Sequence, residues 1–250
     1  MTLKLFVFHG GPAPRRTVLY VHERRFPAGF VDIIPCTIDA PAAPAKAPGK
    51  PPGSVPLLHD PETGFVLRES LAIMDYLEDL AEAVPPQGPL QQLRPTMRGA
   101  TPQDRAKTKE MLGLIDAVTV DVEYAPAFGC KLFAPTVGGE QSPAAVRWLL
   151  RHAHQNLARI AEYAAEGGST PWLVKFDGED EARITLADCA LFAILQYAEH
   201  MFGWDLTEKY PRLKLFYDAF KERESAAIPE GTWPAQLTDL TKAWIEYDEK

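Results

Sequence analysis

The chain has 250 residues, of which 46% are hydrophobic, and this is enough to bury either one large core or two small ones. The formal net charge of −8 argues against nucleic-acid binding, because a phosphate-binding surface needs clustered Lys and Arg. Three cysteines far apart have neither metal-ligand spacing nor the even count of a disulfide framework, so we expect no metal and a reducing, cytoplasmic environment. The first residues lack a signal-peptide pattern and the longest apolar run, 189–202, is too short to span a bilayer, so we expect no membrane association.

The first quarter of the chain has a strand–helix–strand pattern. Residues 3–8 form a short apolar run ended by two glycines, which is typical of a buried strand. The two prolines that follow suit the first turn of a helix, which we expect to run through Arg25. A second strand is predicted over 30–36, followed by a Pro- and Ala-rich loop over 39–52.

A hairpin and a helix come next. The apolar runs 55–59 and 65–67 are separated by the turn-rich residues 60–64, which predicts an antiparallel pair. From Ser70 onward apolar residues recur at helical spacing, which predicts an amphipathic helix.

The second half of the chain is helical by pattern. A Pro-rich linker at 85–101 separates a predicted domain at 1–84 from a second at 102–250. Thr185 stands three residues ahead of Asp188 and of a long apolar run, the arrangement of a capping box at a buried helix start. No strands are predicted after the linker, and the predicted helices cover 102–128, 142–166, 186–200 and 211–223.

The residues best suited to bind a ligand lie at the ends of the predicted hairpin. Pro56 heads a strand, where a missing amide is tolerated, and a cis bond there would expose the backbone of Val55 to an extended peptide. Glu69 and Ser70 open a helix, where Ser70 and free amides can hold a carboxylate while Glu69 pairs with an ammonium. An α-amino acid fits these groups. A purely structural role is the alternative for Pro56 and Ser70.

The segments 53–58 and 64–78 together resemble the glutathione-site motif of the glutathione transferases, in which Val-Pro is followed by Glu-Ser and a helix with a Tyr-Leu-Glu-like end. Residues 171–173 and 210–213 also look like this family. The resemblance implies the glutathione transferase fold, an α/β thioredoxin-like N-terminal domain plus an all-α C-terminal helical bundle. It also implies a homodimer and glutathione as co-substrate.

Carried over by position, the resemblance assigns a glutathione contact to each of five residues. The backbone of Val55, next to Pro56, would contact the cysteinyl unit, and Glu69 and Ser70 would contact the γ-glutamyl group. Lys50, in the preceding loop, is the candidate for the glycyl carboxylate, with a solvated lysine as the alternative. The family often has Lys directly before Val-Pro, where this chain has Ser.

At the catalytic position the chain departs from the family. A Tyr, Ser or Cys is usual near the end of the first strand, but aligned through Arg16 that position falls within 11–13, where no side chain can donate or attack. We expect backbone amides around Ala13 to stabilise the thiolate, since a helix N-terminus favours an anion. Arg16 and His9 are the side-chain candidates. The alternatives are an ion pair with a distant carboxylate for Arg16 and a structural role for His9.

A hydrophobic second substrate is expected between the domains, with Tyr124, Phe128 and Trp204 as candidates for its pocket. Two functions stay open. One is a glutathione-dependent transferase in detoxification or small-molecule metabolism, acting on a hydrophobic electrophile by conjugation, elimination, isomerisation or reduction. The other is a non-catalytic ligand-binding, regulatory or assembly protein of the same fold.

Overall fold

The first half of the protein is a four-stranded sheet. In a computed structural model the strands β1 (Leu3–Val7), β2 (Val31–Pro35), β3 (Leu57–His59) and β4 (Val66–Arg68) lie in the order β2-β1-β3-β4. β1 pairs in parallel with β2, and β3 is antiparallel to both of its neighbours. The predicted strand–helix–strand unit and hairpin are confirmed. The structure describes residues 2–39, 43–83, 93, 95–165, 184–232 and 241–245.

Two helices pack on this sheet. α1 (Pro12–Arg24) starts at the predicted prolines and ends at Arg25, which takes a left-handed conformation with φ of 61°. α2 (Ser70–Ala83) follows β4 directly and buries an apolar stripe that includes Ile73 and Leu77. The sheet and these helices contribute to a large apolar core that continues into the helical half, and Phe6, Cys36 and Leu57 form a second, small cluster.

The second half consists of helices. The described residues after 101 include one isolated bridge, between Cys130 and Trp244, but no strand, as predicted. The thioredoxin-like half followed by an all-helical half confirms the predicted fold class. The four α-helices are α3 (Pro102–Gly129), α4 (Pro143–Tyr163), α5 (Leu186–Phe202) and α6 (Pro211–Lys221), with short 3-10 helices at Ala134–Val137 and Glu224–Ala226.

The start of α5 is the buried capping box that the sequence predicts. Asp188 N–H donates to Thr185 Oγ1 over 3.3 Å, and Thr185 N–H donates to the Asp188 carboxylate over 2.7 Å. These bonds satisfy orphan amides where water cannot reach them. The apolar run behind them lets α5 contact both α1 and α3, so α5 joins the two halves of the protein.

Parts of two sequence predictions lie outside the described residues. Residues 85–92 and 94 of the predicted linker at 85–101 lie outside, and so does the family-like segment 171–173. The domain boundaries at this linker therefore stay predictions. Within the described ranges, no helix has the length and apolarity needed to cross a membrane. The same ranges contain no group of three or more His, Cys, Asp or Glu side chains placed to hold a metal ion.

Candidate functional site

The two residues before β3 are Val55 and Pro56. We call them the docking edge, because backbone groups there are free to pair with a ligand. The peptide bond between them is cis, and Pro56 is buried. The Val55 side chain is partly buried against a small cluster around Phe6 and Leu57. Among the described residues, no backbone hydrogen bond joins Val55 to another residue. Its N–H and C=O are therefore available to an extended ligand.

A left-handed residue lies between β4 and α2. Glu69 has φ of 67°, which is uncommon outside glycine, costs roughly 1–3 kcal/mol, and clusters at ligand-binding sites. Its carbonyl accepts from Ile73 N–H over 2.9 Å and so closes the first turn of α2. The Glu69 carboxylate is exposed, whereas Ser70 beside it is buried. A carboxylate and a hydroxyl thus lie together at the helix start.

Arg16 connects this helix start to two other helices. Its Nε donates to Ser70 Oγ over 2.6 Å, and its Nη1 donates to Asp116 Oδ1 over 2.5 Å. The bonds join α1, α2 and α3 around a guanidinium that is mostly buried. The ion pair with a distant carboxylate, left open by the sequence, is therefore present. Because the Ser70 oxygen accepts from Arg16, its own O–H is free to donate to a ligand.

The start of α1 offers a single free amide. Pro12 and Pro14 have no N–H to offer. The amide of Gly11 donates to a carbonyl of the preceding loop over 3.2 Å, and that of Arg15 donates to Gly11 O over 3.0 Å. Only the N–H of Ala13 remains without a backbone partner, in a stretch that is described throughout. The backbone stabilisation expected for a thiolate here is therefore limited to one N–H donor and the helix dipole.

His9 precedes this turn. Its Nδ1 is buried without a hydrogen-bond partner among the described residues. Burial, helped by the charges of Arg15 and His22, lowers its pKa below the usual 6.5. The imidazole is therefore neutral at neutral pH and able to accept a proton. Its catalytic role stays a prediction.

Two cations flank the loop that leads into the docking edge. Lys50 Nζ donates to the carbonyl of the next residue over 3.1 Å and to Gly53 O over 2.6 Å. Arg68 Nη2 donates to Pro52 O over 2.8 Å. Gly53 has φ of +127°, a conformation that favours glycine, and a Cβ there would lie 2.4 Å from Arg68 Nε. Sequence reasoning missed Arg68, a second cation beside this loop.

The aromatic residues predicted for a substrate pocket lie on α3 and just after the end of α5. Tyr124 is 52% exposed and Phe128 partly buried, one helical turn apart on the same face near the end of α3. Trp204 packs with ring centroids 4.8 Å from Phe202 and 4.9 Å from Trp244. The cavity of about 240 Å³ that Trp204 lines is formed with α4 and does not include the other two.

A carboxylate that sequence reasoning missed lies on α3. Glu123 is open to solvent, but protein atoms surround it closely enough to strip much of its hydration. This loss of hydration raises the pKa of Glu123 from 4.5 to about 7. The charge of Arg16 opposes the shift and that of Asp116 adds to it. The charge of Glu123 in turn adds to the burial that raises the pKa of the Tyr197 hydroxyl. The seven-residue spacing from Asp116, two helical turns, is the signal in the sequence that could have identified it.

Sequence comparison places this geometry in a family. Residues 11–80 match the profile described as Glutathione S-transferase, N-terminal domain, and residues 139–219 match the corresponding C-terminal domain. Together the matches cover more than half of the chain. The chain belongs to the glutathione S-transferase family. The first match includes the start of α1, the docking edge and the Glu69–Ser70 turn.

Solved structures of glutathione S-transferases have the same fold. A family member from Pseudomonas fluorescens Pf-5 with bound glutathione is 20% identical, with a TM-score of 0.63 over 90% of this chain and 97% of that one. A class Gtt2 enzyme of Vibrio parahaemolyticus is 15% identical, with a TM-score of 0.62 over 96% and 100%. Gtt2 from Saccharomyces cerevisiae is 18% identical, with a TM-score of 0.61 over 89% and 98%. The sequence matches no curated protein.

Proposed function

We propose that this glutathione S-transferase binds glutathione between the docking edge and Ser70, and reacts its thiolate with a hydrophobic electrophile. Conjugation, elimination, isomerisation and reduction are all open to such a site. The observation that carries the proposal is the Ser70 hydroxyl, held by Arg16 with its own proton free, beside the unpaired backbone of Val55. Related structures support it, since they hold glutathione, S-(propanoic acid)-glutathione or glutathione sulfonate.

Each part of the tripeptide has a matching group in the proposed complex. The γ-glutamyl carboxylate accepts from Ser70 O–H, and its ammonium pairs with the exposed carboxylate of Glu69. The cysteinyl unit pairs with the free backbone of Val55, as an added strand does at a sheet edge. The glycyl carboxylate meets Lys50 or Arg68. The sulfur then lies near the start of α1.

Reaction at this site depends on holding a thiolate beside the electrophile. The Ala13 N–H and the positive end of α1 stabilise the negative sulfur. Placing the electrophile against Tyr124 and Phe128 turns a bimolecular reaction into an oriented one within the complex. The sulfur forms the new bond to carbon, with no covalent intermediate on the protein.

A non-catalytic ligand-binding or regulatory protein is the second candidate, and one observation favours it. With Pro12 and Pro14 at the helix start and no hydroxyl or thiol within 11–13, the sulfur gains a single backbone donor from this segment. A site of this kind can retain glutathione without activating it.

Calorimetric titration with glutathione, followed by the ultraviolet absorbance of the bound thiolate across pH, separates the two candidates. A transferase binds glutathione and lowers its thiol pKa below the free value. Binding with an unchanged thiol pKa would leave only the ligand-binding function, and absence of binding would reject the site itself.

We also infer a homodimer in a reducing, cytoplasmic environment. The hairpin residue Phe65 is 41% exposed and packs on Tyr76, and Val120 and Trp148 on α3 and α4 are 50% and 60% exposed. In the proposed dimer the hairpin and α2 of one copy cover α3 and α4 of the other. Three free thiols fit a reducing compartment. Sedimentation of the wild type and Phe65→Asp tests the dimer, since an aspartate in that contact should yield monomers.

A further inference from the structure

The proposed glutathione complex needs a group to receive the thiol proton. The start of α1 supplies one amide donor and no side chain that can act as a base. The Arg16 guanidinium carries only N–H donors and is bonded to Ser70 and Asp116. A proton acceptor must therefore come from outside residues 11–16, either from His9, whose imidazole is neutral but has a buried Nδ1, or from a solvent-exposed carboxylate.

Glu123 lies on the part of α3 where we expect the glutathione sulfur. Asp116 marks the γ-glutamyl end of the proposed site, because Arg16 connects it to Ser70. Glu123 follows two helical turns later, about 10 Å along the axis, and directly before Tyr124. The reacting sulfur must lie between the γ-glutamyl group and the second substrate. Glu123 occupies the corresponding stretch of α3.

The carboxylate of Glu123 is not committed to another interaction. Among the described residues it has no hydrogen bond or ion pair, although it is near the Arg16 guanidinium. The charged or titratable groups that face it are Arg16 on α1, Asp116 on its own helix and Tyr197 on α5. Glu123 is exposed to solvent. A bound ligand can therefore reach it too.

We propose that Glu123 is the general base of this enzyme, taking the thiol proton of glutathione in place of the missing Tyr, Ser or Cys; this rests on the proposed function. The S–H bond breaks as an O–H bond forms on a Glu123 oxygen, so the sulfur and carboxylate keep one negative charge between them. The S–C bond then forms as the bond to a leaving group or a π bond of the electrophile breaks, and the proton passes from Glu123 to the departing group, to the new carbanion or to water. A base with a pKa near the working pH suits such a transfer, and burial gives Glu123 a pKa of about 7.

The test uses the full chain, saturating glutathione and iodoacetamide as the electrophile, with S-carbamidomethyl glutathione measured by mass spectrometry. Counting this product avoids interference from the protein's own thiols. We expect the wild-type rate to rise with pH through an inflection near 7. Glu123→Gln should lose that inflection and about tenfold or more of the acceleration, while glutathione affinity changes little. Glu123→Asp, with a shorter carboxylate, should recover part of the rate.

The matched control is Glu110→Gln, the same change on the same helix at an exposed residue paired with Lys107. It should behave as the wild type. Wild-type kinetics in Glu123→Gln would overturn the role of Glu123 and leave the proposed function standing, and so would a wild-type glutathione complex with no inflection. A wild type that binds no glutathione would instead reject the proposed function, and the inference with it.

Discussion

Arg16 Nε donates to Ser70 Oγ over 2.6 Å, and this bond leaves the Ser70 O–H to donate outward. A hydrogen bond to a charged group contributes about 1.5–3 kcal/mol, so we expect Ser70→Ala to weaken glutathione binding by about tenfold or more. Ser70→Thr keeps the hydroxyl and should keep most of the affinity. Calorimetry gives the constants, with exposed Ser54→Ala as control. An unchanged affinity in Ser70→Ala would mean that the hydroxyl serves the fold alone.

Lys50 and Arg68 are the two candidates for binding the glycyl carboxylate, and a shortened ligand can distinguish between them. We expect Arg68→Ala to weaken binding of glutathione by about tenfold, because a charge-assisted hydrogen bond is lost. Binding of γ-glutamylcysteine, which has no glycine, should hardly change in this variant. Lys50→Ala is measured in parallel with both ligands. If only Lys50→Ala distinguishes them, the carboxylate belongs to Lys50.

The elements of the fold could be predicted because they depend on local pattern. Strand alternation, the helical period after Ser70 and the Thr185–Asp188 capping box are all encoded within a few residues. The single free amide could also be predicted from the sequence, because Pro12 and Pro14 have no backbone N–H to donate.

The partners of the charged residues could not be predicted in the same way. Arg16 reaches across 54 and 100 residues to Ser70 and Asp116, and nothing local selects those positions. The environment of Glu123 is likewise formed by helices that are distant in sequence. Its shifted pKa exists only once α1 and α5 surround it.

Ala13 supplies the one free amide at the start of α1, and proline can remove it. Pro is tolerated in a first helical turn, so Ala13→Pro should fold normally. We expect the thiol pKa of bound glutathione to rise by about one unit, since one hydrogen bond to the sulfur anion is lost. Ala13→Ser, which restores a hydroxyl, should lower it. Thiolate absorbance against pH measures both, and equal pKa values in all three proteins would exclude this amide.

Glu78 and Arg24 form a buried pair between α1 and α2, with Arg24 Nε 2.8 Å from Glu78 Oε1. Tyr20 and Thr96 hydroxyls also donate to the Glu78 carboxylate. Glu78→Gln leaves Arg24 buried without its counter-charge, so we expect a loss of about 3–5 kcal/mol in unfolding free energy. The double variant Arg24→Met, Glu78→Leu should recover much of it. Urea unfolding of Arg24→Met, of Glu78→Leu and of the double variant completes the cycle, and additive losses would show that the pair does not couple.

The raised pKa of Glu123 also leads to a prediction that can be tested without a ligand. Its pKa is about 7 in the folded protein and near 4.5 when unfolded, so the folded state binds more protons between these values. Stability should therefore fall as pH rises from 4.5 to 7, and the penalty is complete above 7. Glu123→Gln removes this penalty and should melt higher than the wild type at pH 8. The difference should shrink towards pH 5.

The gain should stay well below the ~1.4 kcal/mol per pKa unit that a fully buried group would give, because solvent screens the Glu123 carboxylate. Glu110→Gln is again the control, since that carboxylate is exposed and paired with Lys107. Melting temperatures from pH 5 to 8 decide the outcome. A difference between Glu123→Gln and the wild type that stays constant with pH would mean that Glu123 does not titrate in this range. It would then lack the pKa near the working pH that suits proton transfer.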